Sequence, residues 1–92
     1  MAGFDILAAV KTGLGLAGND NFDNTLNIYI TDVKNYLKMA GVKESVINSE
    51  SSAGVITRGV ADLWNYGSGG TALSPYFKER AIQLALYGDI DV

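Results

Sequence analysis

Val55-Ile-Thr-Arg-Gly-Val-Ala-Asp-Leu-Trp-Asn-Tyr-Gly-Ser-Gly-Gly-Thr-Ala-Leu-Ser-Pro-Tyr-Phe-Lys-Glu-Arg-Ala-Ile-Gln-Leu-Ala-Leu86 is the stretch that decides the fold. In its first half Ile56, Val60, Leu63 and Trp64 recur every three or four residues, the spacing of one helix face, and predict a helix over about Ala53–Tyr66. Arg58 and Asp62 stand four apart on it and can pair, for about 0.3–0.5 kcal/mol. Gly59 inside this helix costs about 1 kcal/mol against alanine, so it needs a reason. A close helix–helix crossing is the preferred one and a bend the other. Gly67-Ser68-Gly69-Gly70 then breaks the pattern, and three glycines in four residues make Tyr66–Leu73 a glycine-rich, flexible loop. Ser74-Pro75 restarts the chain. The serine hydroxyl can cap, and proline at the first helical position lacks only an N–H that would have no partner there. The last helix runs to about Leu86, with Phe77, Ala81, Leu84 and Ala85 inward and Lys78, Glu79 and Gln83 outward. Gly88 ends it before a short acidic tail, Asp89-Ile90-Asp91-Val92.

Working back toward the start, the same period continues. Phe4, Leu7, Val10 and Leu14 mark a first helix over roughly Phe4–Thr12, with Asp5 in its first turn and Gly13 and Gly15 at its end. Asn19-Asp20-Asn21 is a turn cluster, with Asp20 the expected N-cap of a second helix that runs to about Ala40. Leu26, Ile30, Val33 and Leu37 form its inner stripe, flanked by Tyr29, Tyr36 and Ala40. At about 1.5 Å per residue it approaches 30 Å in length, which makes it the expected spine. Gly41 closes it, Val42–Asn48 suggests one short turn, and Ser51 or Ser52 is placed to cap the next helix. No strand pattern of useful length occurs. The fold class is therefore all-α, one domain over residues 1–92, a small bundle of four to five helices with a Gly-rich loop before the last.

Composition narrows the chemistry. A chain of 92 residues buries only about 60–65% of the surface its unfolded form exposes. It has no cysteine or histidine, which removes disulfides and the usual zinc sites. Small unstapled domains often gain stability by association. Seven basic residues against ten acidic ones, without a basic cluster, argue against a dedicated nucleic-acid binder. The longest apolar run, Ile6–Val10, is far short of the roughly 20 residues a membrane span needs, and the acidic start is unlike a secretory signal.

No catalytic constellation emerges, and the chain is read as a non-enzyme without a cofactor. Asp20/Asp23 and Asp89/Asp91 have too few ligands for a calcium site and read as solvated acids. Gly13-Leu-Gly-Leu-Ala-Gly18 spells G-x-G-x-x-G but follows a helix, not a strand. The serines have no histidine to activate them. Trp64, Tyr66, Tyr76 and Phe77 bracket the glycine loop. Packing is the plain reading and a protein–protein anchor the sharper one. Stacking on single-stranded nucleic acid would need more interleaved charge than Lys78 and Arg80 offer.

The segment Gly59–Leu84, with its helix, Gly/Ser loop, Ser-Pro cap and final helix, resembles the small helical head–tail connector (adaptor) proteins of long-tailed double-stranded DNA phages. Leu14-Gly-Leu16, the polar Asn/Asp stretch and Leu26, Tyr29-Ile30, Asp32-Val33 and Tyr36-Leu37 are similar to that family's opening, so the likeness covers about residues 4–87. The resemblance implies a structural virion protein at the head–tail joint, assembled in the host cytoplasm. It implies a ring of about a dozen copies, head to tail until closed. Its implied partners are the portal protein, the next neck (stopper) or tail-completion protein and further copies of itself, with double-stranded DNA passing through the channel without sequence-specific binding and no membrane. Contacts are expected at Trp64, Tyr66, Gly67, Ser68, Gly69, Gly70 and Leu73, toward a neighbour, the lumen or the tail side. They are also expected at Tyr87, Asp89, Ile90, Asp91 and Val92, toward the portal. The alternative is a small helical DNA-binding or protein-binding regulatory module of phage or host, for which Lys78, Arg80 and Gln83 would form a thin recognition face opposed by Glu79.

Overall fold

The computed structural model describes residues 5–66 and 73–87, and every regular element within them is helical. Five helices follow in order: α1 Ile6–Gly13, α2 Asp23–Met39, α3 Glu44–Ile47, α4 Ala53–Tyr66 and α5 Pro75–Tyr87, with one 3-10 turn at Glu50–Ser52 before α4. The all-α class expected from the periodicity is the fold.

Helix ends obey local chemistry. Asp5 caps α1 by accepting from the Ala8 N–H at 3.1 Å, which sets the helix start two residues later than its apolar period suggests; Phe4 lies outside the described residues. Both α1 and α2 close in the same way. Leu16 N–H reaches Lys11 O and Gly15 N–H reaches Thr12 O, while Val42 N–H reaches Leu37 O and Gly41 N–H reaches Lys38 O. This paired closure requires a left-handed residue, and Gly15 and Gly41 supply it at φ of 76° and 97°.

Three local expectations are corrected. Asp20 does not cap α2: Phe22 occupies that position without a side-chain cap, because the Asp20 carboxylate is drawn to the Lys11 ammonium. Helix α2 accordingly has 17 residues, about 25 Å, and Ala40 lies beyond it, exposed. Ser52 turns its hydroxyl back to the Ile47 and Ser49 carbonyls at 2.7 and 2.9 Å, and the Ser51 hydroxyl meets that of Ser49 at 2.6 Å. These serines tie the α3–α4 corner to itself.

Helix α4, not α2, is the hub. It packs on α1, α2 and α5. Helix α2 buries one stripe, Leu26, Ile30, Val33 and Leu37. Helix α4 buries Val55, Ile56, Gly59, Val60, Asp62 and Leu63, a wider sector that faces several neighbours. Two glycines set the closeness of the crossings. A Cβ at Gly59 would stand 2.7 Å from Phe77 Cε1 on α5 and 2.9 Å from Val33 Cγ2 on α2, and one at Gly13 would stand 2.5 Å from Thr57 Cγ2. Gly59 is thus a crossing point, inside an unbroken helix. Val42, Val46 and Ile47 plug the bottom of the core, and Phe77 is fully buried at its centre against Tyr36, ring centroids 5.4 Å apart.

Candidate functional site

Helix α5 is placed by two polar contacts. The Ser74 hydroxyl accepts from the Phe77 N–H at 3.1 Å, as a capping serine should. The Ser74 N–H in turn donates to Asp62 Oδ2 at 2.9 Å. Asp62 is a buried carboxylate whose other oxygen stands 3.5 Å from Arg58 Nε. The Arg58–Asp62 pair anticipated from spacing alone therefore also anchors the chain entering α5.

That anchoring creates the most distinctive surface of the molecule. Tyr76, one residue after Pro75, stands exposed beside α4. The Arg58 guanidinium lies 5.3 Å from its ring centroid, and that of Arg80 lies 6.0 Å away. Arg80 Nη1 also donates to the Tyr76 hydroxyl at 3.1 Å. Two guanidinium groups thus share one aromatic ring, each gaining about 0.5–1 kcal/mol at such an exposed site. Together they border a groove of about 410 Å³, lined beneath by Val55, Thr57 and Ala61 of α4 and by Gly13 and Gly54. Forked, permanently charged arginines are suited to carboxylate or phosphate oxygens. Arg58 and Tyr76 are distant in sequence, so only the packing of α5 on α4 reveals this trio.

A second polar cluster joins α1 to the start of α2. Lys11, whose side chain is only 10% exposed, places its ammonium 2.5 Å from Asp20 Oδ1 and 3.0 Å from Asp23 Oδ1. Hydrogen bonding to Asp20 and then to Asp23 holds its pKa above the usual 10.5, against the opposing effect of burial. Asp20 is a solvated acid as expected, its side chain 82% exposed, whereas Asp23 is partly buried, and Lys11 pairs with both. Among the described residues no group of three or more acidic, His or Cys side chains could hold a metal ion.

The expected interface residues divide. Trp64 is half-buried and meets Phe22 edge-on, centroids 5.2 Å apart at 84°, and Leu73 is buried in the core. Trp64 packs on Phe22 and keeps part of its ring at the surface, while the entry of the chain into α5 against α4 carries Leu73 inward. Tyr66 and Tyr87 end α4 and α5. Gly67, Ser68, Gly69, Gly70, Asp89, Ile90, Asp91 and Val92 lie outside the described residues. Of the aromatics flanking the loop, Phe77 is core and Tyr76 belongs to the groove. Helix α5 also presents Ile82 and Leu86, 57% and 64% exposed, on the side away from Phe77 and Ala81. No described helix is long and apolar enough to cross a membrane.

No protein-family model, curated protein or solved structure matches this chain.

Proposed function

We propose that this chain is a structural assembly protein of the head–tail connector kind. In this reading it docks as a ring under a phage portal, extends the DNA channel and joins the head to the neck or tail. The observation that supports it best is α5, which is apolar on two sides. Phe77 and Ala81 face the bundle while Ile82 and Leu86 face solvent. A helix that closes a small bundle needs only one apolar stripe. A second suits a surface covered by another protein, and ring subunits use two different surfaces, each meeting the other on the next copy. The order of elements, a long early helix followed by a helix, a loop, a Ser-Pro cap and a last helix, is the order in the family that the sequence resembles. Its partners on this reading are the portal, the next neck or tail-completion protein and further copies of itself, and its place is the neck of the virion.

The test is to delete the gene from its parent phage and image the lysate by electron microscopy. Filled heads without tails, beside finished free tails, are the expected outcome. Normal tailed particles would refute the connector role and favour the small regulatory module.

A further inference from the structure

We infer that the Arg58–Tyr76–Arg80 groove receives the acidic segment Asp89-Ile-Asp-Val92 of a second copy of this chain. The inference rests on the self-assembling reading above and gives it a specific contact. Laid out in extended form, Asp-Ile-Asp-Val places its residues alternately on two sides, Asp89 and Asp91 on one and Ile90 and Val92 on the other. The groove has the matching pair of features. Two guanidinium groups border it, and small or apolar residues, Val55, Thr57 and Ala61, line it. Its arginines are held ready. Asp62 engages Arg58 through Nε and leaves the two Nη groups to a ligand, and the Tyr76 hydroxyl holds one Nη of Arg80. Such pre-oriented side chains lose little further freedom when a carboxylate arrives.

Geometry makes the occupant another copy. The groove sits at the start of α5, whereas Asp89–Val92 follows its end. Asp89 is two residues past Tyr87 and can stand at most about 7 Å from it. The Arg80 backbone lies about 10 Å back along the helix axis, and its guanidinium is turned further back, toward Tyr76. A copy cannot set both of its own aspartates on its own arginines. The groove and the segment are therefore two different surfaces, one at each end of α5, and their pairing is head to tail. Repetition of such a contact generates a ring or an open chain.

Two complementary variants test this. Asp89→Lys/Asp91→Lys keeps the groove and reverses the segment, while Arg80→Glu keeps the segment and reverses one side of the groove. Sedimentation across a wide concentration range should show wild-type self-association weakening about tenfold or more in each variant alone. Mixed, they should associate again, since the intact groove of one meets the intact segment of the other. With the Asp89→Lys/Asp91→Lys chain isotope-labelled, NMR amide shifts on mixing should centre on Thr57, Arg58, Ala61 and Arg80. Association unaffected by either change would overturn the inference, as would shifts centred on Ile82 and Leu86 or a wild type that stays monomeric throughout. A salt-sensitive shift of duplex DNA that Arg80→Glu abolishes would also overturn it, in favour of a phosphate ligand. Tailless heads in the deletion lysate together with unaffected association would leave the connector role standing and remove only this contact.

Discussion

The crossing at Gly59 makes the sharpest prediction about stability. In Gly59→Ala the new methyl would stand 2.7 and 3.0 Å from two ring carbons of Phe77 and 2.9 Å from Val33 Cγ2. Comfortable carbon–carbon contacts lie near 3.5–4.0 Å, so α4 and its neighbours must separate by up to about 1 Å. Phe77 and Val33 are both fully buried, and neither can swing into solvent. Overpacking of this kind costs about 1–3 kcal/mol, while replacing a mid-helix glycine with alanine gains about 1 kcal/mol. With three close contacts on rigid groups the upper half of the cost applies, and the net expectation is a loss of about 1–2 kcal/mol. Gly54→Ala is the internal control. It is the same chemical change on the same helix, but nothing lies within 4 Å of the new methyl, so a gain of about 0.4–1 kcal/mol is expected. Urea unfolding followed by far-UV circular dichroism reads both. For a urea slope near 1 kcal/mol/M the Gly59→Ala midpoint falls by about 1–2 M and the Gly54→Ala midpoint rises. A Gly59→Ala protein as stable as wild type, or more so, would refute the crossing argument.

Asp62→Ala removes the acceptor for the half-buried Ser74 N–H and the partner of Arg58. It should cost about 1–3 kcal/mol, more than the roughly 1 kcal/mol expected for loss of the Ser74 cap in Ser74→Ala; equal midpoints for the two in urea unfolding would deny Asp62 its anchoring role. Lys11→Met should destabilise the fold at neutral pH by leaving Asp23 half-buried without its cation. Because the folded-state pKa of Lys11 is raised above 10.5, its contribution is complete below that pH and is lost as pH rises through the folded value. The wild-type advantage over Lys11→Met should therefore shrink on the alkaline side of about pH 10.5 in thermal melts, and a constant gap would contradict the ion-pair account. Ile82→Ser/Leu86→Ser should leave the melting temperature nearly unchanged, since both side chains already face solvent; on the proposed connector role it should also lower assembly onto portal rings in a co-sedimentation assay, and unchanged assembly would count against that use of α5.

The helices and their inward faces are legible in the sequence because they depend on local spacing. Leu26, Ile30, Val33 and Leu37 declare one stripe of α2, Phe77 and Ala81 declare the inner face of α5, and Ser74-Pro75 declares where α5 starts. A 3.6-residue period and a capping hydroxyl are properties of a few neighbouring residues, so no tertiary knowledge is required. Gly59 announces by its cost alone that something must approach it closely, and the structure supplies Phe77 and Val33. Charge partners are less legible. Lys11 reads as one more scattered surface lysine, yet packing carries it between Asp20 and Asp23 and takes Asp20 from its expected cap. The identity of the hub was equally hidden. Length favours α2, but α4 is central because it buries a wider sector, and a sector's width matters only when several neighbours are present to cover it. The Arg58–Tyr76–Arg80 groove is wholly tertiary. Its residues come from two helices, and no periodicity within either helix specifies the angle at which one lies on the other. Local spacing thus determined which faces turn inward; the close packing of α5 on α4, permitted by a missing methyl at Gly59, decided which charges meet on the surface.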